Sequence, residues 1–263
     1  MPRDSIVGHP FARRDVLRLL AGGLCFAAAP SCAFAGEARI DRLIGEARKQ
    51  GDLSHRITTI SGALLGTPYR GNTLIGGPRK PEQFVVRDDG FDCVTYCETV
   101  LAAAYANDAA EFKSMLRTIR YHNGVVAWRE RNHYFFDWGR HNVENKLSRT
   151  ILLDGVVTMD KTVSWHTALG RRRFRMPVIP RASLLANKGL LANGDIVAFV
   201  TRRPNLDYFH VGFIVIDDKG QLMLRHASQT HGRVLDERMD RFAAQNRVRY
   251  VTLWRPQEPH AVV

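Results

Sequence analysis

An α+β domain with an antiparallel sheet is the fold class this sequence predicts, and three features of its patterning predict it. Helical periodicity fills the first half of the mature chain, short apolar strand-like runs fill the second, and Asn-Gly and Lys-Gly turns separate those runs. Helices followed by strands, without βαβ alternation, leave a sheet built from hairpins. The 263 residues, 45% hydrophobic, suffice for one large core and contain no internal repeat.

Residues 1–35 differ from the rest. A basic start, an apolar run and the small residues Ala33 and Ala35 around Phe34 are the marks of an export signal cleaved after Ala35. The pair Arg13-Arg14, with Leu17 and Arg18 after it, resembles the twin-arginine signal. The apolar run falls short of the ~20 residues that cross a bilayer, so no stable membrane insertion is expected once the signal is removed. Pro30 and Ser31 before Cys32 make a poor lipoprotein site. The expected location is therefore periplasmic or secreted.

The pass along the remaining chain gives a helix over 40–50 from Ile40, Leu43, Ile44 and Ala47, and a second through Ile57, Ile60 and Leu64. A Gly- and Pro-rich loop follows over 69–90. Asp92 is placed to cap a buried helix over 92–106, and Asp108 a further one over 109–120. Asn123-Gly124 marks a turn. The stretch 125–138 reads as a strand entering a loop, and 142–180 as an irregular insertion in a single domain spanning 36–263. Strands are expected at 195–201, 209–216, 222–226 and 249–254.

The net charge of +12 suits a partner with anionic glycan, lipid or carboxylate groups. No nucleic-acid motif is present, and none is expected to matter after export. The run RRRFR at 171–175 is most simply a solvated loop, with polymer or membrane contact as the lesser reading.

Of four cysteines, Cys25 and Cys32 leave with the signal, and Cys93 and Cys97 remain. Four residues apart on one helix, they suit a disulfide poorly and make an incomplete metal site. Cys93 is the first helical residue, where free N–H groups and the helix dipole favour a thiolate. Cys97 lies one turn deeper as a small hydrophobe. A thiolate needs a base, and two histidines lie in strand-like segments: His210 in DYFHVGFIV as the base, and His226 in LMLRHASQ as the group that orients it.

These segments resemble the NlpC-type cysteine peptidases, a papain-like superfamily that cuts bacterial cell-wall peptides. GALLGTPYRGNTLIGG, DCVTYCETV, NGDIVAF, HVGFIV and RHAS occur in the family's order between Gly62 and Ser228. RYHNG, RNHYFFDW and LDYFHVGF resemble the N-acetylmuramoyl-L-alanine amidase-like branch, although Thr95 replaces the usual Gly and the gap from Tyr69 to Cys93 is long. The resemblance implies a papain-like fold with N-terminal helices, the nucleophile helix packed on an antiparallel sheet. It implies Cys93, His210 and His226 as the catalytic residues and Tyr69 as a wall of the site. Asp92, Asn132, His133 and Trp138 are the further candidates for substrate contact; the alternative for His133 and Trp138 is simple packing. Asp207 either orients the His210 strand or serves a turn.

The implied reaction is acyl transfer through Cys93 on a peptidoglycan or muropeptide substrate, without metal or cofactor. The bond is N-acetylmuramoyl-L-alanine, or alternatively D-glutamate to the diamino acid. Two rivals stand beside it: a zinc hydrolase ligated by Cys93, His210 and His226, and a peptidoglycan binder without catalysis.

Overall fold

A computed structural model describes residues 32–164 and 166–259. Most of the expected signal, 1–31, lies outside them; its last residues, 32–35, form the first turn of helix α1 (Cys32–Arg48). Among the described residues, no helix is long and apolar enough to cross a membrane.

Helix α1 buries Ile40, Ile44 and Ala47 on one face, and α2 (Leu53–Ala63), capped by Asp52, buries Ile57 and Ile60. The loop expected over 69–90 contains a small hairpin, β1 (Ile75–Gly77) and β2 (Lys80–Gln83). Helix α3 (Cys93–Tyr105) is buried from Thr95 onward, as expected of a helix that is apolar around its circumference. Its one acid, Glu98, is buried with Arg120 of α4 (Ala109–Arg120); Arg120 Nε donates to Glu98 Oε2 at 2.7 Å and Nη1 to the Val85 carbonyl at 2.6 Å. The pair ties the central helix to its neighbour and to the strap that precedes it.

The stretch expected to form a strand after Asn123-Gly124 is instead a 3₁₀ turn, Trp128–Glu130, and helix α5 (Phe135–Glu144). Phe135, Trp138, Gly139 and Asn142 make its buried face, a helical spacing. Gly139 permits close packing: a Cβ there would lie 2.4 Å from the Trp254 ring.

The segment 142–180 carries β3 (Ser148–Ile151), β4 (Val157–Val163) and the start-to-end run of β5 (Arg172–Pro180). It is built into the main sheet, because β3 and β5 both pair with β10 (Tyr250–Pro256). Helix α6 (Arg181–Ala186) leads to β6 (Ile196–Val200), then β7 (Tyr208–Ile216), β8 (Leu222–Ser228), β9 (Arg233–Arg238) and α7 (Met239–Gln245). The eight-stranded sheet runs β4-β5-β10-β6-β7-β8-β9, with β3 also on β10, and every pairing is antiparallel.

Two cores sandwich this sheet. Ile196, Ala198 and Val200 of β6 face the helices α1–α5, while Val197 and Phe199 face α6 and α7. The uninterrupted apolar run IVAFV is thus a strand buried on both faces. Helix α3 packs on β7, and this contact sets the site.

Candidate active site

Asp92 ends the loop and starts α3. Its Oδ1 accepts from Val94 N at 3.0 Å, Thr95 N at 2.7 Å and Thr95 Oγ1 at 2.8 Å, and Thr95 Oγ1 accepts from Asp92 N at 3.0 Å. This reciprocal capping box explains why Thr95 stands in DCVT. Asp92 is thus the helix cap that the sequence leads one to expect, with Oδ1 engaged by the first turn.

Cys93 is half-buried at the helix start, and Cys97 is fully buried; the two are free thiols. Backbone N–H groups of Val211, Cys93 and Val94 act on the Cys93 sulfur and favour its thiolate, but burial and the Asp92 charge outweigh them and push the thiol up to about 12. The helix-dipole expectation of a depressed thiol is therefore corrected. An aspartate cap beside the sulfur and loss of water around it oppose the dipole. Tyr69 lies close enough for burial, Cys93 and Asp92 to raise its phenol, and it is held by a bridge to Phe91 and by its N–H to the Gly232 carbonyl at 2.8 Å.

The two histidines meet across β7 and β8. Pairing between these strands runs from Phe213–Arg225 to Ile216–Leu222, so His210 and His226 lie just beyond its last rung. His210 Nε2 and His226 Nδ1 are 2.6 Å apart, with the rings perpendicular. Gly212 makes room for them: a Cβ there would sit 2.8 Å from the Arg225 carbonyl oxygen and 2.9 Å from His226 Cβ. Burial and the facing His226 push His210 down to about 3, and burial with His231 pushes His226 down to about 4. Both rings are neutral at pH 7. The N–H of Val211, next to His210, is what connects the pair to Cys93; among the described residues no hydrogen bond joins the thiol to an imidazole.

A residue with no signal in the sequence completes this line. Glu237 Oε2 lies 3.5 Å from His226 Nε2, which is buried and has no hydrogen-bond partner. Leu224 faces Glu237 in the β8–β9 register, so His226 and Glu237 are diagonal neighbours on one face. The carboxylate favours a proton on His226 Nε2. With that proton on Nε2, Nδ1 of His226 would accept from His210 Nε2. Beside them, Arg225 clamps Asp236 with two bonds of 2.7 Å and reaches Thr58 and Ser61 of α2, which fixes β8.

The 131–138 segment does not join this cluster. Trp138 is 1% exposed and stacked on Phe135 at 4.4 Å, so its role in substrate contact is corrected to core packing. Trp128 is buried as well. His133 Nε2 lies 2.6 Å from the Trp128 carbonyl oxygen with its ring against Trp128. Asn132 donates to the Ile119 carbonyl at 3.1 Å, and Arg131 forks onto Glu82. Asn132 and His133 border two adjoining cavities of about 280 and 190 Å³ whose linings include neither Cys93 nor the histidine pair. Asp207 accepts from Phe136 N at 2.7 Å and Tyr208 N at 2.9 Å, and so ties α5 to the strand of His210. Among the described residues, no three His, Cys, Asp or Glu side chains are grouped to hold a metal ion.

The fold recurs in a Legionella pneumophila protein, with TM-score 0.75, 24% identity, and 85% of this chain covering 95% of that one. It recurs also in an N-acetylmuramoyl-L-alanine amidase from Bacteroides uniformis, with TM-score 0.70, 24% identity, and 79% of this chain covering all of that one (100%). No curated protein matches the chain. The model of the AmiA-like family, N-acetylmuramoyl-L-alanine amidase-like, matches residues 59–248, a span that holds Tyr69, Cys93, His210, His226 and Glu237. The chain belongs to the N-acetylmuramoyl-L-alanine amidase-like family.

Proposed function

We propose that the protein is a cysteine-dependent peptidoglycan hydrolase of papain-like, NlpC type that cuts the amide between N-acetylmuramic acid and L-alanine. The observation that supports this is a His210–His226 pair 2.6 Å apart, with His210 adjacent in sequence to Val211, whose N–H acts on the Cys93 sulfur at the start of α3. Family membership supports the substrate class.

The resting thiol and imidazole are both neutral, so proton transfer accompanies attack. His210 Nδ1 takes the thiol proton as Sγ bonds to the carbonyl carbon and the carbonyl π electrons move to oxygen. The Cys93 N–H faces the resulting oxyanion. The C–N bond then breaks, His210 gives its proton to the departing amine, and a thioester remains. Water, deprotonated by His210, attacks the thioester; the acid is released and Cys93 recovers its proton. His226 and Glu237 hold the tautomer throughout.

One observation favours a second activity, that of a γ-D-glutamyl-diamino-acid endopeptidase. The 128–138 segment, whose aromatic residues would suit a sugar ring, has both tryptophans buried and Arg131 occupied by Glu82. Sugar recognition must come from other residues. Digestion of purified muropeptides, with product masses read, separates the two. Free peptide with an L-alanine amino terminus is the expected product; cleavage after D-glutamate, sugar or no sugar, would replace the amidase reading with the endopeptidase. Cys93→Ala should abolish turnover and Cys97→Ala should retain it, with activity indifferent to EDTA; binding of muropeptide without turnover by the unaltered protein would favour the non-catalytic reading.

Export through residues 1–35 to the periplasm or medium is part of the proposal, supported by Arg13-Arg14 and Ala33-Phe34-Ala35. Amino-terminal sequencing of exported protein should begin at Gly36. A lipid-modified Cys32 would overturn that.

A further inference from the structure

Many arginines here are occupied by acids: Arg56 by Glu258, Arg120 by Glu98, Arg131 by Glu82, Arg225 by Asp236, Arg255 by Asp195. Among the described residues, four of the arginines without such a partner converge at one place. A cavity of about 410 Å³ opens between β4, the end of β6 with its 201–204 loop, and the approach to β10. Arg202, Arg203, Arg247 and Arg249 line it, and among the described residues none of these four guanidiniums has an ion-pair or hydrogen-bond partner. The single acid in the lining, Asp160, lies 3.9 Å from Arg173. Lys161 adds a fifth cation and bonds the Thr201 carbonyl, linking β4 to the loop. Met159, Val200, Pro204 and Tyr250 supply an apolar wall.

These cations come from chain segments some forty residues apart, so their convergence belongs to the fold and not to one basic run. Like charges around one concavity repel, and an anion relieves that repulsion.

We propose that this cavity is a phosphate-binding site, taking a small ligand with a di- or oligophosphate group and an attached sugar or apolar part. Several guanidinium forks match an anion with more than one charge and several acceptor oxygens, which a single carboxylate does not provide. The size is that of a small-molecule pocket, and Tyr250 offers a ring to the uncharged part. The site is separate from Cys93, and its test does not depend on which bond, if any, Cys93 cuts.

Calorimetric titration of the full chain with inorganic pyrophosphate tests it, with citrate as a polycarboxylate and phosphatidylglycerol vesicles against phosphatidylcholine vesicles as further arms. Saturable binding of pyrophosphate at one site is expected. The pair Arg202→Gln with Arg249→Gln should weaken it tenfold or more, with thermal midpoint and any muropeptide turnover unchanged. Arg202→Lys with Arg249→Lys should keep part of the affinity. Vesicle binding displaced by pyrophosphate would support the site and name a lipid headgroup as the source. Absence of pyrophosphate binding, equal binding by the Gln pair, equal affinity for citrate, or vesicle binding that pyrophosphate does not displace would each overturn the proposal.

Discussion

Replacing Asp92 by asparagine and by alanine separates two effects of one carboxylate. The first is structural. Oδ1 accepts three hydrogen bonds, from Val94 N, Thr95 N and Thr95 Oγ1, at 2.7–3.0 Å. Asparagine keeps an acceptor oxygen in that place and is as good a cap as aspartate, apart from about 0.3–1 kcal/mol of dipole interaction. Alanine loses the cap, at a cost of about 1–2 kcal/mol. For a domain of this size that is a fall in Tm of about 3–6 °C. The second effect is electrostatic. After burial, the Asp92 charge is the largest influence holding the Cys93 thiol near 12. Both substitutions remove it, so both should lower the thiol, and each unit of lowering raises the thiolate fraction tenfold at fixed pH. Iodoacetamide alkylation followed across pH, with the label located by mass spectrometry, reads the thiol; thermal unfolding reads the cap. Asp92→Asn should shift alkylation to lower pH with little loss of Tm, and Asp92→Ala should shift it and also lose Tm. Alkylation profiles unmoved in both variants, or equal Tm losses, would refute this division.

Three further outcomes follow from the same geometry. Glu237→Gln should lower turnover about ten- to a hundredfold by releasing the His226 tautomer, with Tm unchanged and the acidic limb of the pH–rate profile displaced; an unaltered profile would remove Glu237 from the line. Glu98→Ala should cost about 3–5 kcal/mol in urea unfolding because Arg120 is left buried and unpaired, and replacing both by leucine and methionine should recover most of it; a loss within experimental error would show the pair to be idle. Stability should fall on acidification below pH 6.5. His210 and His226 have folded values of about 3 and 4, under the unfolded 6.5, so only the unfolded chain takes up their protons until pH 4 is approached. Each neutral histidine then costs about 1.4 kcal/mol per pH unit. The difference in unfolding free energy between wild type and a His210→Gln, His226→Gln variant, measured at pH 6.5 and 5, should show this slope, and parallel curves would contradict it.

How far the fold and site could be read from the sequence depends on where each element gets its support. Helix α3 was legible because its cap and its apolar surface are local: Asp92 and the run to Tyr105 are contiguous. Strand β6 was legible for the same reason. Helix α5 was not. Tyr134 precedes it without a side-chain cap, and the first-turn N–H of Phe136 is satisfied by Asp207, 71 residues away. Aromatic residues that favour strands then masked the spacing of Phe135, Trp138 and Asn142. The 142–180 segment looked irregular because β3 and β5 find their partner in β10, at the far end of the chain. Among the proposed site residues, Cys93, His210 and His226 are singled out by residue type and order. Glu237 is not, since only the β8–β9 register brings it to His226. For Trp138 the residue type allows either substrate contact or packing, and its burial decides for packing.

The resting electrostatics bear on why so much structure stands behind one imidazole. Burial that makes Cys93 a poor thiolate also makes His210 a poor imidazolium, so both members of the pair favour the uncharged state. A preformed ion pair would be the same whether or not substrate were bound. In the proposed mechanism, a neutral pair separates charge only when a carbonyl carbon is present to receive the sulfur, so the N–H groups at the helix start and the Glu237–His226 line would interact more strongly with the transition state than with the resting state. The positions of these groups then matter more than their resting charges. That accounts for the rigid supports around them: the capping box under Cys93, the absent Cβ at Gly212 between the histidines, and the Arg225–Asp236 clamp beside His226.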